Sequence, residues 1–132
     1  MKKQILISSL LAIGIFSIFS QAVSATSSPA VLTNPAFHIT YSSAILYAGI
    51  DPKASASLVW FEYGTSPSFG TTVGLQSVGT YSGTTNFSFH IFPLQSNTTY
   101  YFRAVAQNTN GTAQGSTASF TTGPGPAPQT SP

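Results

Sequence analysis

The sequence predicts an all-β, seven-stranded antiparallel sandwich, and three observations carry that prediction. Between residues 31 and 122, apolar side chains recur with period two in short β-branched and aromatic runs. Gly, Pro, Asn and Ser punctuate these runs at turn spacing, and no stretch holds a convincing helical period. The third observation is Leu94-Gln-Ser-Asn-Thr-Thr-Tyr100, a leucine followed six residues later by a tyrosine that opens an alternating run. This is the sequence form of a tyrosine corner, whose hydroxyl bonds back to upstream backbone and pins the turn between two strands of a sandwich.

The elements follow in order. Val31–Thr33 is a short β-branched piece. Ser43–Ile50 alternates until Asp51-Pro52 ends it, and Ser57–Tyr63 runs to Gly64. A weak strand lies around Thr71–Gly74. Asn86–Phe92 is stopped by Pro93, Tyr100–Gln107 follows the corner, and Thr117–Thr122 closes the set. Asn110-Gly111 reads as a type I′ hairpin turn, because both central positions of that turn take positive φ.

Period-two alternation assigns each strand a buried and an exposed side. Ala44, Leu46, Ala48 and Ile50 point inward, as do Val59, Phe61 and Tyr63, then Phe87, Phe89 and Ile91. Tyr100, Phe102, Ala104 and Ala106 continue the inner set, with Ala118 and Phe120. Trp60, Glu62, Tyr101, Arg103 and Val105 fall on the outer face of one sheet. Ile45, Tyr47, His90 and Phe92 fall on the outer face of the other.

The N-terminus has to be set aside before charge is read. Lys2 and Lys3 precede an apolar run from Ile5 to Phe19, and Val23-Ser24-Ala25 supplies the small residues of a cleavage site. Residues 1–25 are therefore expected to be a secretory signal peptide cleaved after Ala25, so that the membrane is met only transiently and the protein is secreted or displayed at the cell surface. The formal net charge of +2 comes from this leader; Asp51, Lys53, Glu62 and Arg103 cancel in the remainder. Two basic residues cannot form the cluster that phosphate backbones require, so nucleic acid is excluded as a partner. With no cysteine, disulfides, lipoprotein attachment and thiolate metal sites are excluded. Residues 26–122 are read as one domain and 123–132, Gly-Pro-Gly-Pro-Ala-Pro-Gln-Thr-Ser-Pro, as an extended linker or tail. A near-neutral balance favours association, so self-association, as a self-assembling subunit of a surface layer or filament, is the alternative expectation.

Val59-Trp-Phe-Glu-Tyr-Gly-Thr65, with Leu94-x5-Tyr100 and Asn108-x-Asn-Gly111, resembles a fibronectin type III domain, most closely the variety of secreted bacterial proteins. The resemblance covers roughly 29–122. It implies an Ig-like sandwich with strands A, B and E facing C, C′, F and G, and a role as spacer or adhesion module. It implies no particular ligand. The integrin-binding tripeptide that some animal relatives carry in the loop from Asn108 to Gly115 is absent.

No catalytic or cofactor constellation emerges. Asp51 and Glu62 belong to different sheets, and His90 is expected about 13 Å from Asp51, beyond contact for a nucleophilic triad. Two separated histidines and two acids make no zinc or calcium shell, and no Gly-rich loop precedes a helix. Asn86, Asn97 and Asn110 open matches to the N-glycosylation pattern, which arise readily in a Ser/Thr/Asn-rich chain. What remains is surface. Trp60 and Tyr101 read either as an aromatic platform for glycan or protein, or as a cross-strand pair that stabilises the sheet. Arg103 and Val105 lie beside them, and Glu62 is placed to pair with Arg103. Tyr47 and His90 mark an apolar strip on the opposite face, fit for a partner. Asn108, Asn110 and Gly111 form a polar candidate loop.

Overall fold

The computed structural model describes residues 27–132, and the signal-peptide assignment at 1–25 lies outside the described residues. Eight strands follow one another: β1 (Ala30–Phe37), β2 (Ala44–Asp51), β3 (Ser57–Gly64), β4 (Thr71–Val78), β5 (Thr85–Ile91), β6 (Thr99–Asn108), β7 (Gly111–Gln114) and β8 (Ala118–Thr121). They form two antiparallel sheets. One has the order β1-β2-β5 and the other β4-β3-β6-β7, with β8 also pairing β6 beyond the end of β7.

The core follows from the alternation. Ala44, Leu46, Ala48, Ile50, Val59, Phe61, Phe102, Ala104 and Ala106 are fully buried between the sheets. Phe61 stacks on Phe87 across the sandwich, with ring centroids 4.8 Å apart, and meets Phe102 at 6.5 Å. Phe102 contacts Phe120, which stacks on Tyr100 at 5.6 Å. Offset and edge-on aromatic pairs of this kind add about 0.5–1.5 kcal/mol each beyond the area they bury. The aromatic chain ends at the corner: Tyr100 Oη accepts the Gln95 amide at 2.9 Å, and Leu94 is buried beside it. Thr122 completes the turn, its buried hydroxyl donating to Gln95 O at 2.6 Å and accepting the Thr98 amide at 3.0 Å.

Four expectations are corrected. Strands β1 and β4 are longer than the sequence suggested, at eight residues each. The closing strand predicted at Thr117–Thr122 is β8, and an eighth strand that was not expected, β7, precedes it along β6, the two separated by residues 115–117. The Asn110-Gly111 turn is not type I′. Asn108 pairs with Gly111, so Thr109 and Asn110 are the central residues, and neither has positive φ. Asn108 Oδ1 instead accepts the amides of Asn110 (2.8 Å) and Gly111 (3.2 Å), the side-chain-stabilised turn that asparagine at the first position and glycine at the fourth favour.

Phe89 keeps its inner phase but is 38% exposed. Strand β5 is the last of its sheet, and Phe89 lies at the open seam between β5 and β4, its ring against Gly74. Gly74 has φ +70, and a Cβ there would stand 2.9 Å from the ring. The glycine at a register shift in β4 is what lets Phe89 close the seam.

The other seam is closed by a hydroxyl. Where the β6 pairing is interrupted, the Ala104 carbonyl takes the Gly115 amide at 2.9 Å, while the Ala104 amide donates across to Thr33 Oγ1 at 3.1 Å. Thr33 belongs to β1, in the opposite sheet, and is 8% exposed. The tail predicted from Gly123 begins inside this framework. Gly123 donates to Thr40 O and accepts the Asn97 amide, both at 3.0 Å.

Candidate interaction surfaces

On the outer face of the larger sheet, Glu62 stands opposite Arg103. Arg103 Nε donates to Glu62 Oε2 at 2.7 Å and its Nη1 to Gln114 Oε1 at 2.8 Å. The ring of Phe69 lies 4.8 Å from the guanidinium carbon. Phe69 comes from the β3–β4 loop, where its own φ is +62 and a side chain at Gly64 would run into its carbonyl. The cation is thus held on three sides. An ion pair this accessible contributes about 0–1 kcal/mol, and the aromatic contact about 0.5–1 kcal/mol. Together they fix the guanidinium in place and engage two of its five N–H donors. A polar recess of about 310 Å³ remains between Glu62, Phe69, Thr72 and Arg103.

Trp60 and Tyr101 do not come together. Trp60 pairs with Val105 and Tyr101 with Gly64, four residues further along the same strands, a separation of about 13 Å. The Glu62–Arg103 pair lies between them, so they form neither a shared platform nor a cross-strand pair. Val105, expected exposed, is 1% exposed. It sits mid-sheet with Trp60 and Gln114 as its register partners, and these two longer side chains on either flank shield the small valine. Toward the other end of this face, an apolar recess of about 390 Å³ is lined by Leu58, Ser77, Gln107 and Asn108, a feature the alternation did not single out.

The smaller sheet presents a different surface. Ile45 lies between Phe37 and His90 in register, and Tyr47 follows on the same face. Phe37 meets Tyr47 edge-on at 5.8 Å, and His90 lies 4.9 Å from Phe92, which is 68% exposed. The sequence missed Phe37, because β1 was read as ending at Thr33. Tyr47 and His90 therefore belong to one aromatic end of this sheet, on the opposite side of the molecule from Trp60, Tyr101 and Arg103.

The candidate loop is engaged within the chain. Asn108 Nδ2 donates to Ser27 O at 3.0 Å and Asn110 Nδ2 reaches the same oxygen at 3.5 Å, while Gly111 begins β7. At the same pole, Asp51 accepts the Lys53 ammonium at 2.7 Å, the Lys53 amide at 2.9 Å and the Gly83 amide at 3.2 Å. These contacts, led by the Lys53 side chain, hold the Asp51 carboxyl below its ordinary range. All four charged side chains among the described residues are thereby paired. His90 pairs with Ile45, six residues from Asp51 along β2, so about 20 Å rather than 13 Å separates the two. Among the described residues, no three His, Asp or Glu side chains gather into a metal site.

Strand order decides the comparison. A three-stranded β1-β2-β5 sheet packed on a sheet built from β4-β3-β6 and a split last strand gives the expected A-B-E against C′-C-F-G arrangement. The fold is that of a fibronectin type III domain. No family model matches the sequence, and no curated protein matches it. Solved structures do. The sensor domain of the anti-sigma factor RsgI4 from Pseudobacteroides cellulosolvens, in its short form, superposes with a TM-score of 0.58 at 21% identity, over 74% of this chain and 97% of that one. Its solution structure gives 0.58 at 20% identity, over 77% and 89%. The sixth fibronectin type III domain of human fibronectin type III domain containing protein 3 gives 0.55 at 18% identity, over 80% and 95%. At such identities the likeness speaks for the fold.

Proposed function

We propose that this fibronectin type III sandwich is a non-catalytic, exported module that serves as spacer and protein-interaction or adhesion unit at the cell surface, docking its partner on the outer face of β1-β2-β5. The observation that supports it is the aromatic end of that face. Phe37, Ile45, Tyr47, His90 and Phe92 occupy positions where a solvated sheet would carry polar residues. Recognition there is apolar and aromatic, since each charged side chain among the described residues already has its partner. The leader supports export, and the neutral surface suits a domain that works tethered or in contact with others.

Adhesion of beads coated with the purified protein to the cells that produce it tests the reading. Retention above bare beads, lost in Phe92→Ser and in Tyr47→Ser variants that melt at the wild-type temperature, supports it. Retention equal to bare beads, or unchanged in both variants, overturns it.

A further inference from the structure

The two sheets have edges of unequal character. Strand β1 carries Pro35 and a register shift between Asn34 and Phe37, and it lies against β7 and β8. Strand β4 is interrupted by its own register shift and by Gly74 at positive φ. Strand β5 carries no bulge, and on its open side it approaches β4, without pairing to it, at the seam where Phe89 rests on Gly74. It pairs with β2 without interruption over seven residues, Thr85 to Ile91, and its other side has no strand partner. It contains no proline, no glycine and no charged residue. Natural sheets guard such edges with charge, proline, bulges or cover, because the free N–H and C=O groups are a template for another strand.

The sequence of this edge is close to a palindrome in polarity. Thr-Asn-Phe-Ser-Phe-His-Ile reads apolar on one face at Phe87, Phe89 and Ile91, and polar on the other at Asn86, Ser88 and His90. Laid antiparallel on its own copy about Ser88, it sets Phe87 against Phe89 of the second copy, and the reverse, on the inner face. The same register sets Asn86 against His90 outside. Aromatic cross-strand pairs are among the favourable ones, and the pairing covers the exposed part of Phe89. Among the described residues every charged side chain is paired, so two copies of this surface meet without ionic repulsion.

We infer that β5 is a self-pairing edge: two copies of this chain join β5 to β5 about a twofold axis through Ser88, giving one six-stranded sheet, β1-β2-β5 followed by its mirror order. This is independent of the docking face proposed above, although it would set two such faces side by side.

Crosslinking reads the register directly, because the chain has no cysteine of its own. In this arrangement the two Ser88 side chains are directly opposite, with Cβ atoms about 4.5–5.5 Å apart. The purified Ser88→Cys protein is expected to form a disulfide-linked dimer at least tenfold faster than Thr112→Cys, whose position is on the far strand of the other sheet. Sedimentation of the wild type should show mass doubling with concentration, abolished by Ser88→Lys at an unchanged melting temperature. A wild type that stays monomeric at all concentrations, a Ser88→Cys rate equal to that of Thr112→Cys, or a dimer that survives Ser88→Lys would overturn the inference.

Discussion

The hydroxyl of Thr33 on β1 accepts the amide of Ala104 on β6, 3.1 Å away, across the seam between the two sheets. It supplies the acceptor that the broken closing strand does not. Replacing Thr33 by valine keeps the shape but strands a buried N–H, which costs about 1–3 kcal/mol. Urea unfolding should show that loss for Thr33→Val and recover most of it in Thr33→Ser. Equal stability of the valine variant and the wild type would mean that the amide has found another partner.

Gly74 and Phe89 form the opposite seam. Gly74→Ala adds a Cβ 2.9 Å from the ring at a φ of +70, so a destabilisation of about 1–3 kcal/mol is expected. Part of it should vanish when Phe89 is also alanine, since the steric component then has nothing to meet. A double-mutant cycle in urea measures this, and strict additivity would assign the whole cost to the backbone.

The corner offers a cleaner substitution. Tyr100→Phe leaves the stacking on Phe120 in place and removes only the acceptor of the Gln95 amide. A loss of about 1–3 kcal/mol is expected from thermal or urea melts.

Asp51 makes stability depend on pH with a definite sign. Its folded pKa is below the unfolded value of 3.8, so the unfolded chain binds more protons in the interval between them. Stability from this group is therefore complete above about pH 5 and is lost as pH falls through the folded value. Urea midpoints followed from pH 7 to pH 2 should fall more steeply for the wild type than for Asp51→Asn. Parallel profiles would remove Asp51 from the account.

Alternation made the centre of the fold legible. The inward assignments of β2, together with Val59, Phe61 and Phe102, hold because those strands are flanked on both sides and covered by the opposite sheet. Phe102→Ala should accordingly cost about 3–5 kcal/mol. Phe89, with the same phase, should cost less than half as much, because phase says which face a side chain occupies and not how near it is to an edge. Val105 failed in the other direction: an outward position can still be covered by longer neighbours on adjacent strands. The candidate site was harder to read. Register, which sets Trp60 four residues from Tyr101 along the paired strands, depends on where each turn closes, and Phe37 was hidden behind Pro35 and a bulge.

The clamp on Gly123, between Thr40 O and the Asn97 amide, has a mechanical consequence. The chain enters the sandwich beside Ser27, at the pole of the β6–β7 turn, and leaves it at the other pole. A pull applied through the two ends runs along the strands and loads the β1–β2 and β6–β8 ladders in shear, so that their hydrogen bonds bear the force together. A pull across one pole would open them one at a time. Lengthwise is thus the direction in which these ladders resist a pull most strongly.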